Sequence, residues 1–104
     1  MIEFQNIRIT WDKNKNASNL QKHGIRFEEA YAVFLDERRI ERVDTTSEHE
    51  ERWRTIGITK GAVLLLVVHT LNENGTQYIR IISARRATKS EEEQYYDNCN
   101  LLHT

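Results

Sequence analysis

The feature that most constrains the fold is a largely apolar run, Ala62 to Leu71, that lies between two turn signals. Lys60-Gly61 precedes the run, and Asn74-Gly75, a dipeptide typical of tight hairpin turns, follows it. The run is far shorter than the roughly 20 apolar residues that cross a bilayer. Apolar residues on both faces are typical of a strand at the centre of a sheet. The sequence therefore predicts a sheet built around this strand.

Alternation and capping signals predict the other elements. Ile2–Trp11 alternates apolar and polar residues with a phase slip near Asn6, which indicates one strand with a bulge. Asp12 as N-cap and Gly24 as C-terminal glycine delimit a helix from Lys13 to His23. Apolar residues at helical spacing predict a second helix at Phe27–Leu35. Three more strands are predicted at Arg39–Val43, Arg52–Thr59 and Gln77–Ala84. The last helix opens with a capping box, Thr88–Glu91, and is predicted to bury Tyr95, Cys99 and Leu102.

These elements predict one α+β domain over residues 1–104. The expected architecture is a small antiparallel sheet with an N-terminal helical hairpin and a C-terminal helix, in the order β-α-α-β-β-β-β-α. A lone cysteine, Cys99, excludes an intramolecular disulfide and suits a reducing compartment. Because no export-type segment is recognised either, we expect a cytoplasmic protein with no membrane partner.

Positive charge is concentrated in one segment near the C-terminal end of the sequence. The net charge is -1, yet Arg80, Arg85, Arg86 and Lys89 fall within ten residues of one another. A local basic patch on a near-neutral chain is suited to holding a few phosphates. It argues against long tracking along duplex DNA.

Arg80 lies between Ile79 and Ile81 in a predicted strand, where an arginine needs an anion. One possibility is an ordinary salt bridge to a neighbouring strand. The other is a guanidinium that the sheet holds rigidly for a phosphate, with Arg85 and Arg86 reaching the same ligand from the strand end.

Arg52 and Arg54 share a face of their predicted strand. Charges on an edge strand discourage aggregation, and this reading is favoured for Arg54 and left open for Arg52.

Lys22-His23-Gly24 ends the first helix, where cations stabilise the helix and glycine terminates it. An imidazole there would also be well placed beside a bound backbone, since histidine titrates near neutrality. His69 is predicted to be a core residue with its ring satisfied by hydrogen bonds.

The sequence contains no histidine pair at metal-ligand spacing, no glycine-rich phosphate loop and no serine elbow, so no metal or cofactor is expected. RNA cleavage fits these limits because the 2′-hydroxyl is the nucleophile. The protein then supplies a base, an acid and cations around the phosphate.

An ordered set of residues from Trp11 to Tyr95 resembles the BrnT family of toxins. The matching positions are Trp11-Asp12, Lys15, Asn19, Lys22-His23-Gly24, Phe27-Glu28-Glu29-Ala30, Phe34, Asp36, Glu51-Arg52, Gly57, Val67-Val68, Arg80-Ile81-Ile82-Ser83-Ala84-Arg85 and Ala87. The last helix departs from the pattern, because Glu91–Glu93 stands where relatives often have basic residues.

The resemblance implies a RelE-like ribonuclease of a type II toxin–antitoxin system. It also implies a ribbon-helix-helix antitoxin partner, BrnA, through which operator DNA is bound. Catalytic candidates on this pattern are Lys22, His23, Glu51, Arg52, Arg80, Ser83 and Arg85, and the pattern also includes Tyr95. The charged residues Arg54, Arg86 and Lys89 join Tyr95 as RNA-binding candidates. His23 or Glu51 is the expected acid–base group, and the arginines are expected to hold the scissile phosphate.

Two other hypotheses stay open. The chain could be a non-catalytic module that acts inside an antitoxin complex. It could also be a structural domain in which Arg80 forms a salt bridge.

Overall fold

The computed structural model describes residues 2–45 and 51–102, with side chains to residue 100. The strands in this part of the chain are β1 (Ile2–Phe4), β2 (Ile7–Trp11), β3 (Ile40–Asp44), β4 (Arg52–Ile58), β5 (Leu64–Glu73) and β6 (Gln77–Arg86). The helices are α1 (Lys13–His23), α2 (Phe27–Ala30) and α3 (Lys89–Leu102), with a 3₁₀ helix at Tyr31–Leu35. None of these helices is long and apolar enough to cross a membrane.

The described strands form one mixed sheet in the order β1-β2-β6-β5-β4-β3. β2 and β6 run parallel, whereas the other neighbours are antiparallel. The predicted antiparallel sheet is therefore wrong at the pairing of β2 with β6. Parallel neighbours need a long connection, and the helices and strands between β2 and β6 provide it. The α+β class and the inner position of β5 are confirmed.

The predicted element order is wrong at its start. Two strands precede α1, and the phase slip near Asn6 marks the turn of a hairpin in which Ile2 pairs with Ile9. Gln5 in that turn has a positive φ of 52°. A bulge and a tight turn both interrupt alternation, so the sequence pattern did not separate them. The RelE-like arrangement is not matched either, because the sheet is mixed and begins with two strands.

The caps of α1 confirm its predicted bounds. The Asp12 carboxylate accepts hydrogen bonds from the backbone N–H groups of Asn14, at 2.7 Å, and Lys15, at 3.3 Å. Gly24 has a φ of 70°, and its N–H donates to the carbonyl of Leu20. The predicted second helix is confirmed as a helical region, but it tightens into the 3₁₀ helix after Ala30.

Each face of the sheet is covered by different helices. We call the two sides the hairpin face, covered by α1, α2 and the 3₁₀ helix, and the α3 face. The hairpin face buries Ile9, Phe27, Val33, Phe34, Leu65, Val67, Ile79, Ile81 and Ala84. The α3 face buries Tyr95 and Cys99 against Ile40, Ile56, Leu64 and Leu66, which confirms both predicted helix positions, whereas the Leu102 side chain lies outside the described residues.

Asp36 joins three elements where the 3₁₀ helix meets β4. Its carboxylate accepts hydrogen bonds from the N–H of Ile58, at 2.9 Å, and the hydroxyl of Tyr95, at 2.6 Å. Burial raises the pKa of Tyr95, and the hydrogen bond to Asp36 raises it further. The close approach requires Gly57, since a Cβ there would lie 2.7 Å from Val33 Cγ1.

His69 is a satisfied core residue, as predicted. The residue is 1% exposed, and its ring atoms Nδ1 and Nε2 lie 2.9 Å from the carbonyl oxygen of Thr70 and 2.7 Å from the hydroxyl of Thr55, respectively. Both contacts fit a neutral ring that donates from Nδ1 and accepts at Nε2. Burial lowers the pKa of His69, which favours the same neutral state.

Candidate nucleic-acid interface

A β-bulge in β6 decides where its arginines point. Val68 pairs with Ser83, but the next β5 residue, His69, pairs with Ile81, so Ile82 has no partner on β5. The alternation therefore shifts by one residue after Ile81. Ala84 turns toward the hairpin face, where it is fully buried.

The shift sends the neighbouring arginines to opposite faces. Arg85 joins Arg80 and Ser83 on the α3 face, while Arg86 lies on the hairpin face. The prediction that Arg85 and Arg86 reach the same ligand is therefore wrong. Unbroken alternation would have placed Arg85 on the same side as Ile81.

Asn19 fixes the shifted segment of β6. Its side-chain amide donates to the carbonyls of Ala84, at 2.8 Å, and Ile25, at 2.9 Å, and its oxygen accepts from the Ala84 N–H at 3.0 Å. β2 pairs with β6 only as far as Ile81, so this buried amide satisfies backbone groups that a longer strand would have paired. The helix that carries His23 is thereby joined to the strand that carries the arginines.

Arginines from adjacent strands gather on the α3 face. Arg42 stands directly opposite Arg54 across β3 and β4, and like charges in such positions destabilise a sheet. β4 is an inner strand, so the edge-strand explanation favoured for Arg54 is wrong. We call this group the arginine cluster; its members are Arg42, Arg52, Arg54, Arg80 and Arg85.

Glu91 on α3 supplies an anion to the cluster. The guanidinium of Arg85 donates to both carboxylate oxygens of Glu91, at 2.8 and 3.0 Å, and Arg54 reaches the same carboxylate at 3.4 Å. The side chain of Glu91 is only 13% exposed. The hydrogen bond from Arg85 lowers the pKa of Glu91, against the opposing effect of burial. The cluster is thus partly neutralised from within the chain.

The predicted capping box is confirmed and explains why this role of Glu91 was missed. The Thr88 N–H donates to the Glu91 carboxylate at 2.8 Å, and the Glu91 N–H donates to the Thr88 hydroxyl at 3.2 Å. The cap alone accounts for a glutamate at this position. The sequence signal for an ion pair was that Glu91 follows Arg85 by only six residues, since α3 begins soon after β6 ends.

The other candidates occupy different environments. Tyr95 is 3% exposed and its hydroxyl donates a hydrogen bond to Asp36, so the folded chain leaves its ring little surface for the predicted contact with RNA. Ser83 is half-buried opposite Val68. Glu51 is exposed directly before β4, and Lys89 is exposed in the first turn of α3.

A cleft of about 470 Å³ lies on the hairpin face, between the end of α1, the start of the 3₁₀ helix and the β4–β5 turn. We call it the His23 cleft. Its polar lining includes His23, Glu29, Tyr31, Lys60 and Arg86, and its apolar lining includes Ile25, Val63 and Leu65. Within the described residues, the side chains of His23, Glu29, Lys60 and Arg86 make no hydrogen bond or ion pair.

The sheet separates the predicted catalytic set. His23 lines the cleft and Lys22 is exposed beside it in the last turn of α1, whereas Arg52, Arg80, Ser83 and Arg85 lie on the α3 face. Sequence reasoning missed Glu29 and Lys60 in the cleft. Their only signal was position, since Glu29 lies in the helix after Gly24 and Lys60 in a predicted turn.

A family model described as "Ribonuclease toxin, BrnT, of type II toxin-antitoxin system" matches residues 11–91. The chain belongs to the BrnT family. The match includes the arginine cluster and the His23 cleft, and it confirms the resemblance predicted from the sequence. Among the residues described, no three His, Cys, Asp or Glu side chains are grouped so that they could hold a metal ion in this BrnT protein.

A solved structure is similar over most of the BrnT domain. It is the 1.1 Å crystal structure of the Brucella abortus ribonuclease toxin BrnT, which is 28% identical to this chain and superposes with a TM-score of 0.54. The similarity covers 78% of this chain and 96% of the Brucella chain. No curated protein sequence gives a significant match.

Proposed function

We propose that this BrnT-family chain is a metal-independent endoribonuclease toxin of a type II toxin–antitoxin system. The observation that carries the proposal is the arginine cluster, which β3, β4 and β6 hold on one face of a chain from a ribonuclease toxin family. Guanidinium groups fixed by a sheet are suited to bidentate contact with phosphate.

The proposed reaction uses the substrate's own nucleophile. A base removes the proton of the 2′-hydroxyl, its oxygen attacks phosphorus, and the P–O5′ bond breaks as an acid protonates the leaving oxygen. The products are a 2′,3′-cyclic phosphate and a 5′-hydroxyl. Arg80 and Arg85 would hold the phosphate with Arg52, and Ser83 offers a hydroxyl on the same face.

Two groups are proposed for the acid–base role, and they belong to different elements of the fold. Glu51 precedes Arg52 at the start of β4, and His23 lines the cleft. Variants Glu51→Gln and His23→Asn separate them, because loss of an acid or base lowers the rate by about a hundredfold or more.

The partner proposed for this chain is a BrnA-like ribbon-helix-helix antitoxin in the cytoplasm. The toxin would reach operator DNA only through that antitoxin. The support is the family, whose description names a toxin–antitoxin system.

One observation favours a second function, that of a non-catalytic module within an antitoxin complex. The Glu91 carboxylate already accepts hydrogen bonds from Arg85 and Arg54 in the chain alone. A carboxylate held in this way competes with an RNA phosphate.

Incubation of the purified chain with cellular RNA in the presence of EDTA tests the proposal. We expect fragments that end in a 2′,3′-cyclic or 3′-phosphate, and at least a hundredfold slower cleavage by Arg80→Ala. The control is Arg38→Ala, which removes an exposed arginine outside the cluster. If no such fragments form and the chain still binds its antitoxin tightly, the non-catalytic module is the better description.

A further inference from the structure

We propose that the His23 cleft binds one nucleotide of the RNA, with its phosphate held by Arg86 and Lys60. This inference rests on the proposed RNA substrate, although its test measures binding rather than cleavage. It assigns a ligand to a site on the face opposite the arginine cluster.

The cleft has the size of a small-molecule site. Its volume of about 470 Å³ falls in the range of roughly 300–1,000 Å³ that is typical of ligand pockets. It is therefore large enough to hold more than an isolated phosphate ion.

The lining is divided in the way that a nucleotide requires. Ile25 and Leu65 are buried residues of the apolar lining, against which a planar base or a ribose ring can pack. Tyr31 is half-buried at the same cleft and offers an aromatic ring, a surface on which bases stack.

The charges of the lining favour an anion. Lys60 and Arg86 are exposed cations that line the same cleft, and His23 adds an imidazole. Glu29 is the carboxylate in this lining, and it can accept a hydrogen bond from a ribose hydroxyl. The cations therefore outnumber the anion before the imidazole is counted.

The side chains of Lys60 and Arg86 also make no hydrogen bond or ion pair within the described residues. Arg85 makes two hydrogen bonds to Glu91, but the side chain of its neighbour Arg86 makes none with the described part of the chain. A phosphate that enters the cleft therefore displaces no internal carboxylate from Arg86 or Lys60. Hydrogen bonds between a charged donor and a charged acceptor are among the strongest in proteins.

Titration of the full chain by NMR and calorimetry tests the inference. The ligands are adenosine 3′-monophosphate, adenosine and inorganic phosphate, each added alone. We expect the nucleotide to bind at least tenfold more tightly than phosphate, because the apolar lining contributes. The largest amide shifts are expected around Gly24 and Gly61, which also line the cleft.

Arg86→Ala and Lys60→Ala are each expected to weaken nucleotide binding by about tenfold, the usual effect of losing a charged hydrogen bond. Arg38→Ala is the matched control, and its affinity should not change. The variant positions are exposed, and circular dichroism verifies that each variant is folded. If nucleotide and phosphate bind equally, or Arg86→Ala behaves like Arg38→Ala, the cleft is not a nucleotide site.

The outcome is separable from that of the proposed ribonuclease. Loss of cleavage in Arg80→Ala with unchanged nucleotide binding supports both assignments. Cleavage without any nucleotide-dependent shift at the cleft overturns the cleft assignment and leaves the ribonuclease intact.

Discussion

The arginine cluster and the His23 cleft present cations to opposite sides of the same sheet, but their charges are committed differently. In the cluster, Arg85 and Arg54 already contact the Glu91 carboxylate. In the cleft, the side chains of Lys60 and Arg86 contact no partner among the described residues. A cluster of arginines in a sequence therefore does not reveal how much of its charge is available to a ligand.

Two consecutive residues test this difference most directly. Arg85→Ala should lower the free energy of unfolding by about 1–2 kcal/mol, because it leaves the mostly buried Glu91 carboxylate without its bidentate donor. Arg86→Ala should change it by less than about 0.5 kcal/mol, since an exposed side chain with no partner is removed. Urea denaturation followed by circular dichroism measures both. Equal losses would show that the two arginines contribute equally to the stability of the fold.

The next effect concerns RNA affinity. Glu91→Gln should strengthen RNA binding by about tenfold, because it removes the charge that competes for Arg85 and Arg54. Glutamine retains the capping box with Thr88, so α3 should keep its start. Fluorescence anisotropy with a short RNA measures the affinity.

The matched control is Glu92→Gln, an exposed glutamate on the same helix. It removes the same charge without touching the arginine cluster. A gain as large as that of Glu91→Gln would mean that overall charge, and not the internal contact, sets the affinity.

The smallest effect is a dependence of stability on acid. The pKa of Glu91 is lowered in the folded state, so its contribution is present above its unfolded pKa, near 4.5, and is lost as the pH falls through the folded value. Unfolding between pH 5 and pH 2 should therefore show a shallower acid slope in Glu91→Gln. An unchanged slope would assign the acid sensitivity to other carboxylates.

Local signals in the sequence were sufficient for several elements. Asp12 and Gly24 delimit α1, and the apolar run marks β5 as an inner strand. These features depend on residues close together in the chain, where capping and periodicity act.

Long-range features were not accessible in the same way. The parallel pairing of β2 with β6 depends on where a distant segment returns. The bulge escaped detection because Ile82-Ser83-Ala84 fits either phase of alternation, and only burial of Ala84 selects one. The cleft is formed by three segments far apart in sequence, and Glu91 already had a sufficient local explanation as a cap.

Ile82 is one residue that β6 carries in excess of its pairing with β5. Substitution of Ile82 by another apolar residue would leave every following side chain on its present face. Deletion of that one residue would do the same, because regular alternation from Ile81 would then place Ala84 on the hairpin face and Arg85 on the α3 face. In the evolution of this chain, we therefore expect β6 to accept substitution or loss of Ile82 but to reject the insertion of a further residue there.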